Sequence, residues 1–287
     1  MQTLNIIGAG KLGQSLARLW HAQQILEIGA ILNRSEASSH RAIDHIGAGT
    51  LHTQLSSMPA AELWLLACPD DQIAHMAQTL AASKHIRQKD TVFHCSGALS
   101  SDLLDACAAQ GALTASMHPI MSFAHPFTSI SQLQGSYCGA EGSGYKRLQP
   151  LFEAIGCQCV EIHKEHKALY HSASVFACNY LTTLLETSKN LLETSGFSHT
   201  NANKLLEPIV RKTLDNFFRT DAETSLTGPI SRGDVQCVTQ HIQALQTHSP
   251  QINTLYKALA QATLPISEKQ KMATPEQLSA IQHLVEQ

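Results

Sequence analysis

In the first half of the chain, short apolar runs rich in β-branched residues fall at 3–7, 28–32, 63–67, 91–94, 113–117, 136–139 and 158–162. Amphipathic stretches of about 8 to 13 residues separate them, the spacing of βαβ units. This alternation predicts an α/β fold with a doubly wound parallel sheet. From Glu165 onward the strand signal stops. Apolar positions then recur every three or four residues, and helices are expected over 165–194, 199–219, 232–247, 249–262 and 274–285. Breaks fall at Ser195-Gly196, Thr227-Gly228-Pro229, Ser249-Pro250 and Ala273-Thr274-Pro275. Two domains are therefore expected, an α/β domain over 1–163 and an all-α domain over 164–287.

The first of these helices carries a stripe. Leu169, Ala173, Phe176, Tyr180, Leu184 and Leu191 fall within about 80° of one another at 100° per residue, which predicts one buried face. Lys167, His171, Ser174 and Cys178 lie on the opposite side. They are expected to form a polar patch in the first two turns, just after the last strand of the sheet.

With 287 residues, the chain has the length of two cores, and its 43% hydrophobic content suffices to pack them. A net charge of -3 without any run of Lys or Arg gives no electrostatic footprint for nucleic acid or an anionic membrane. No apolar stretch of about 18 residues suggests a membrane span. The start of the chain lacks the basic and apolar regions of a secretion signal, so a cytoplasmic protein is expected. Its eight cysteines are scattered, mostly within apolar runs, and read as reduced, buried thiols. Cys157 and Cys159 share one side of an expected strand, but a ligand role would need a second pair. His163, His166 and His171 do not fall on one helix face, and no metal site is expected.

Gly8-Ala9-Gly10-Lys11-Leu12-Gly13 directly follows an expected strand and opens a helical pattern at Leu12, Leu16 and Leu19. That strand-turn-helix setting makes it a dinucleotide-binding fingerprint and identifies the α/β domain as Rossmann-type. Gly8 permits the tight turn, Gly10 removes the side chain that would block a pyrophosphate, and Gly13 lets the helix pack close to the strand. Free amides at the helix start then hold the phosphates. An NAD site usually ends its second strand in an acid that binds the ribose hydroxyls. Here that place reads Asn33-Arg34-Ser35. The guanidinium of Arg34 suits a 2′-phosphate, Asn33 and Ser35 add donors, and Lys11 adds charge, so NADP(H) is the expected cofactor. Cys68, Pro69 and Ser96 stand at the ends of later strands, where open α/β sheets bind the rest of such a ligand. Asp70 reads as a helix cap.

Several segments together resemble a known group: the fingerprint, Cys68-Pro69-Asp70-Asp71, His118-Pro119, the run from Lys167 to His171 leading to Asn179, and Thr227-Gly228-Pro229-Ile230-Ser231-Arg232-Gly233-Asp234. These look like the Rossmann-like NADP oxidoreductases with a helical C-terminal domain, related to ketopantoate reductase, pyrroline-5-carboxylate reductase and 6-phosphogluconate dehydrogenase. The resemblance covers nearly the whole chain and implies NADPH-dependent reduction of a small carbonyl acid, with 2-ketopantoate its most specific candidate. A cyclic imine acid and a non-catalytic NADP-binding sensor are the alternatives, and homodimers are common in the group.

In related hydroxyacid dehydrogenases a Lys and an Asn four residues later share a helix face and meet the substrate oxygen. Lys167 and His171 match those places here, with His standing where the group has Asn. The resemblance thus implies Lys167 as general acid and His171 as a substrate-orienting or alternative acid, an i, i+4 pair stacked on one face. His118, Asn179 and Arg232 are the expected substrate-binding residues, Arg232 through its fork on a carboxylate. Asp234 reads as a partner of Arg232 or a cap of the helix that follows.

Overall fold

A computed structural model describes residues 1–121 and 133–287 of the chain. They divide into two compact units, Met1–Cys178 and Asn179–Gln287. The first unit extends past the last strand because the helix that follows lies on the sheet.

Eight strands form one sheet: β1 (Gln2–Ile7), β2 (Leu26–Leu32), β3 (Thr50–His52), β4 (Leu63–Leu66), β5 (Thr91–His94), β6 (Leu113–Pro119), β7 (Tyr137–Glu141) and β8 (Gln158–Glu161). Their order is β3-β2-β1-β4-β5-β6-β7-β8. The chain reverses its direction of travel between β1 and β4, the switch point at which such sheets bind ligands. Two features depart from the expected sheet. The edge strand β3 covers three residues, too few for a period of two to register in the sequence. Strand β7 runs antiparallel to β6, pairing His118 with Gly139 and Ser116 with Glu141, and β8 is parallel to β7. Apolar runs look alike in either direction, so period alone did not reveal this reversal.

One face of the sheet is covered by α1 (Lys11–Ala22), α2 (Glu36–Ile46) and α5 (Tyr145–Ala154), whose buried Trp20, Ile46 and Phe152 share a core with Leu4, Ile6 and Phe93. The Trp20 ring meets Phe152 edge-on at 5.2 Å, and its indole N–H donates to the Leu151 carbonyl, which joins α1 to α5. On the other face α3 (Asp70–Ala82) and the short α4 (Asp105–Ala108) bury Ile73, Leu80 and Cys107 against Trp64 and Val92. Helix α6 (Lys167–Ser174) belongs to this unit and passes through a π turn, Val175–Tyr180, into α7 (Leu181–Thr194).

The second unit is helical throughout: α7, α8 (His199–Arg219), α9 (Ala222–Ser225), α10 (Val235–His248), α11 (Pro250–Gln270) and α12 (Pro275–Glu286). Its core, Val238, Ala260, Ile281 and Val285, lies among the last three. Helix α12 starts with a full capping box of Thr274 and Gln277, and Asp234 caps α10 by accepting the Cys237 N–H.

The expected stripe of the first long helix is exposed in its first turns and half-buried only at Leu184 and Leu191. Leu169 is 71% and Phe176 69% exposed, and Tyr180 is also exposed, whereas Lys167, assigned to the polar side, is 1% exposed. The counter-charge for that lysine is a buried carboxylate, Glu141, 3.7 Å away.

Candidate active site

At the switch point, Gly8 has a φ of +83°, a left-handed value that favours glycine, and a Cβ there would lie 2.6 Å from the Cys68 backbone nitrogen. Gly13 packs its helix against Ala67, to which a Cβ would come within 3.0 Å. A Cβ on Gly10, by contrast, would meet only the Gly8 carbonyl at 3.9 Å, so space stands open beside the turn. Helix α1 has Gly10 as its N-cap and no side chain accepting from its first amides. Together, the open space and uncapped amides suit a pyrophosphate. At the end of β2, Arg34 is exposed and Ser35 caps α2 by accepting the Ser38 N–H. The Asn33 side-chain Nδ2 is buried without a hydrogen-bond acceptor among the described residues. An orphaned donor beside an exposed guanidinium fits a ribose phosphate. The residues present thus fit an NADP-type dinucleotide, with Lys11 and Leu12 in the first turn of α1 and Cys68 and Pro69 facing the loop across the switch point.

The ends of β5 and β6 carry a hydrogen-bond network. Asp70 is the first residue of α3, with Pro69 as the cap in its place, and its carboxylate accepts the Ser96 hydroxyl at 2.7 Å. Ser96 in turn accepts the Leu99 N–H and donates its own N–H to His94 Nδ1. Nδ1 accepts, so the His94 proton sits on Nε2, which donates to the Ser100 carbonyl at 3.1 Å. Burial holds His94 down to about 4, with Lys167 adding to the shift. His94 is a neutral brace for the loop that carries Ser96 and Gly97.

Helix α6 lies over β6 and β7 on the same face. Its first residue, Lys167, points between the strands, donating to the Ser116 hydroxyl and standing 3.7 Å from Glu141 Oε1. Glu141, 3% exposed, also accepts from the Ser101 N–H at 2.8 Å and the Ser101 hydroxyl at 2.7 Å. Burial lowers the Lys167 pKa and Glu141 works against that. One turn on, the Tyr170 hydroxyl is 2.9 Å from His118 Nδ1. Gly139 makes room for this ring, since a Cβ there would fall 2.4 Å from the phenolic oxygen. The His171 ring packs edge-on to His118 at 6.0 Å, and both rings rest on Gly97, where a Cβ would meet His171 at 2.5 Å and His118 at 2.8 Å. His118 is held down to about 4 by burial, then by Lys167 and His171.

The structure thus brings His118, His171 and Ser96 together at the carboxyl ends of the strands. It also keeps Lys167 and His171 one turn apart, as their spacing required. The Lys167 ammonium, however, is sealed by Ser116 and Glu141 below that rim, because a buried lysine needs a counter-charge. Asn179 and Arg232 belong to the second unit, where both are exposed. Sequence reasoning gave no role to Tyr170, Gly97 and His94, although they lie in the 167–171 run and the loop of Ser96 that it singled out, and it missed Glu141. Among the described residues no group of His, Cys, Asp or Glu is arranged to hold a metal ion, and no helix is long and apolar enough to cross a membrane.

A sheet that switches direction beside an uncapped, glycine-lined helix start defines a Rossmann-like domain, here followed by a helical domain. Comparison with known proteins agrees: residues 2–119 match the model of a Rossmann-like domain, and residues 136–263 match DUF2520, a domain of unknown function. Among solved structures, protein TM1727 from Thermotoga maritima is 26% identical, with a TM-score of 0.72 over 93% of this chain and 99% of that one. BF3122 from Bacteroides fragilis, described as a candidate NADP oxidoreductase, is 19% identical with a TM-score of 0.74 over 93% and 98%. A pyrroline-5-carboxylate reductase from Coxiella burnetii shares the fold at 15% identity, with a TM-score of 0.57 over 99% and 97%. No match was found among curated proteins.

Proposed function

We propose that this chain is an NADPH-dependent reductase of a small carbonyl or imine acid. The observation that carries the reading is the placement, within one compact unit, of a dinucleotide-shaped loop and a histidine cluster at the carboxyl ends of the same sheet. The cofactor and imine chemistry named for the Bacteroides and Coxiella proteins accord with it. When bound, reduced nicotinamide supplies a hydride to an acceptor carbon. The chain's own residues do the rest. Lys11, Leu12 and Gly13 hold the phosphates by backbone amides, Asn33, Arg34 and Ser35 hold the ribose phosphate, and Ser96 and Cys68 line the way to the ring cluster. His118 and His171 face the reducible group. Lys167 acts from beneath, fixing Ser116 and Glu141 so that helix α6 stays on the sheet.

2-Ketopantoate and pyrroline-5-carboxylate are the two substrates to test, a carbonyl and a cyclic imine. NADPH consumption is followed with each, beside NADPH binding to wild type and Arg34→Asp. Reduction of either compound is expected, with NADPH binding weakened roughly 10- to 150-fold in the variant, the worth of a charged hydrogen bond. Tight NADPH binding without turnover of any carbonyl or imine acid would make the chain a sensor. Unchanged binding in Arg34→Asp would remove Arg34 from the phosphate site.

The working form is a homodimer joined through α7 and α8. Ala202 is the only residue fully buried in α7 and α8, while Ile209, Phe217 and Phe218 are exposed, Phe218 to 80%. An apolar face of this kind marks an interaction surface.

A further inference from the structure

The geometry points to a tyrosine-set tautomer: we infer that Tyr170 fixes the ring proton of His118 on Nε2, making that N–H the hydrogen-bond and proton donor to the substrate's reducible heteroatom. This rests on the reductase reading above and names the donor that reading requires.

Lys167, the obvious cation, has its ammonium engaged below the rim by Ser116 and Glu141. His118 sits two residues farther along β6, at the carboxyl end, on the same face. Its Nδ1 and the Tyr170 oxygen are 2.9 Å apart, a normal hydrogen bond. The alternative acceptor for the phenol, the His118 carbonyl, is at 3.4 Å, near the limit. Assigning the phenol proton to the shorter contact makes Nδ1 the acceptor and leaves the ring proton on Nε2. That nitrogen lies on the Gly97 side, where a Cβ would approach it to 2.8 Å. Gly97 follows Ser96, on the loop that His94 braces. The donor therefore opens onto the same strand ends as the nucleotide loop.

Burial keeps the imidazole uncharged at neutral pH and the phenol protonated, the first held down to about 4 and the second pushed up to about 12. The donor is thus a neutral imidazole N–H, a weak acid matched to a strongly basic alkoxide or amide anion. As the acceptor carbon gains its hydride, the C=O or C=N π pair moves to the heteroatom, which takes the Nε2 proton. Water then returns a proton to Nε2, while Tyr170 keeps its own on the bond to Nδ1. One proton leaves solvent for each hydride delivered, and both side chains return to their starting state.

The test has two arms. Ring nitrogen shifts of 15N-histidine-labelled full-length protein report the His118 tautomer without any substrate, in wild type and Tyr170→Phe. Steady-state rates with NADPH and either 2-ketopantoate or pyrroline-5-carboxylate are measured for wild type, Tyr170→Phe and His118→Gln. The expected result is an Nε2–H tautomer in wild type that becomes mixed in Tyr170→Phe. With it comes a roughly 10-fold loss of kcat in that variant and a loss of at least about 100-fold in His118→Gln, with KM for NADPH unchanged in both. An Nδ1–H tautomer in wild type overturns the inference, as does a Tyr170→Phe variant that keeps both tautomer and kcat. A wild type inert toward both compounds, yet with the Nε2–H tautomer lost in Tyr170→Phe, refutes the reductase reading while upholding the pairing of the two side chains.

Discussion

Replacing Glu141 with Ala should cost the first unit about 3–5 kcal/mol, the loss typical of removing one partner from a buried ion pair. The magnitude follows from what the carboxylate does. It accepts two hydrogen bonds from Ser101, at 2.8 and 2.7 Å, and faces the Lys167 ammonium at 3.7 Å in a site open to solvent at neither partner. Truncation strands an ammonium and two Ser101 donors at once. Against a typical domain stability of about 5–15 kcal/mol the loss is large. The assay is built into the sequence: both tryptophans, Trp20 and Trp64, are fully buried in the first unit, so urea unfolding followed by their fluorescence reads that unit. The double variant Glu141→Gln/Lys167→Met, which removes both charges and keeps a Ser101 acceptor, should regain most of the loss. A Glu141→Ala variant within about 1 kcal/mol of wild type, or a double variant no better than the single one, would refute the claim that the pair holds α6 on the sheet.

Three further outcomes are expected. His94 is neutral in the folded protein down to about 4 but titrates near 6.5 when unfolded, so the unfolded state binds the extra proton first. Its contribution is intact above 6.5 and falls by up to about 3 kcal/mol as the pH drops toward 4, and His94→Gln should flatten that slope in the tryptophan assay. Gly97→Ala pushes a methyl into the His118 and His171 rings, so turnover should fall at least about 10-fold while NADPH affinity stays within about 2-fold, as titration by nucleotide fluorescence would show. Equal losses in both would place Gly97 in the nucleotide site. Phe218→Glu, on the exposed face of α8, should yield a monomer by light scattering, and an unchanged mass would exclude that face as the dimer contact.

The alternating periods carried most of the architecture, because strand and helix periods are local properties of a chain. Seven of the strands and the long helices lie close to their expected places, and the glycine loop stands at the switch point. Three things were not local. The direction of β7 depends on how the chain returns to the sheet, not on the apolar run itself. The burial of Lys167 depends on Glu141, a residue with no periodic or motif signal, twenty-six positions earlier. The role of Tyr170 depends on His118, on strand β6, and on the bare backbone of Gly139 beneath it.

The reversal of β7 also sorts charge by depth. Antiparallel pairing sets Gly139 beside His118 and sends Glu141 down beside Ser116, two residues or about 7 Å below the rim. Were β7 to run with β6, the order would invert: a carboxylate would stand among the rings, and the glycine that admits Tyr170 would lie in the interior. An acid at that height would oppose both an anionic substrate and the phosphates bound nearby. One change of strand direction thus leaves the Glu141 carboxylate to anchor a helix from within and keeps it away from the rings.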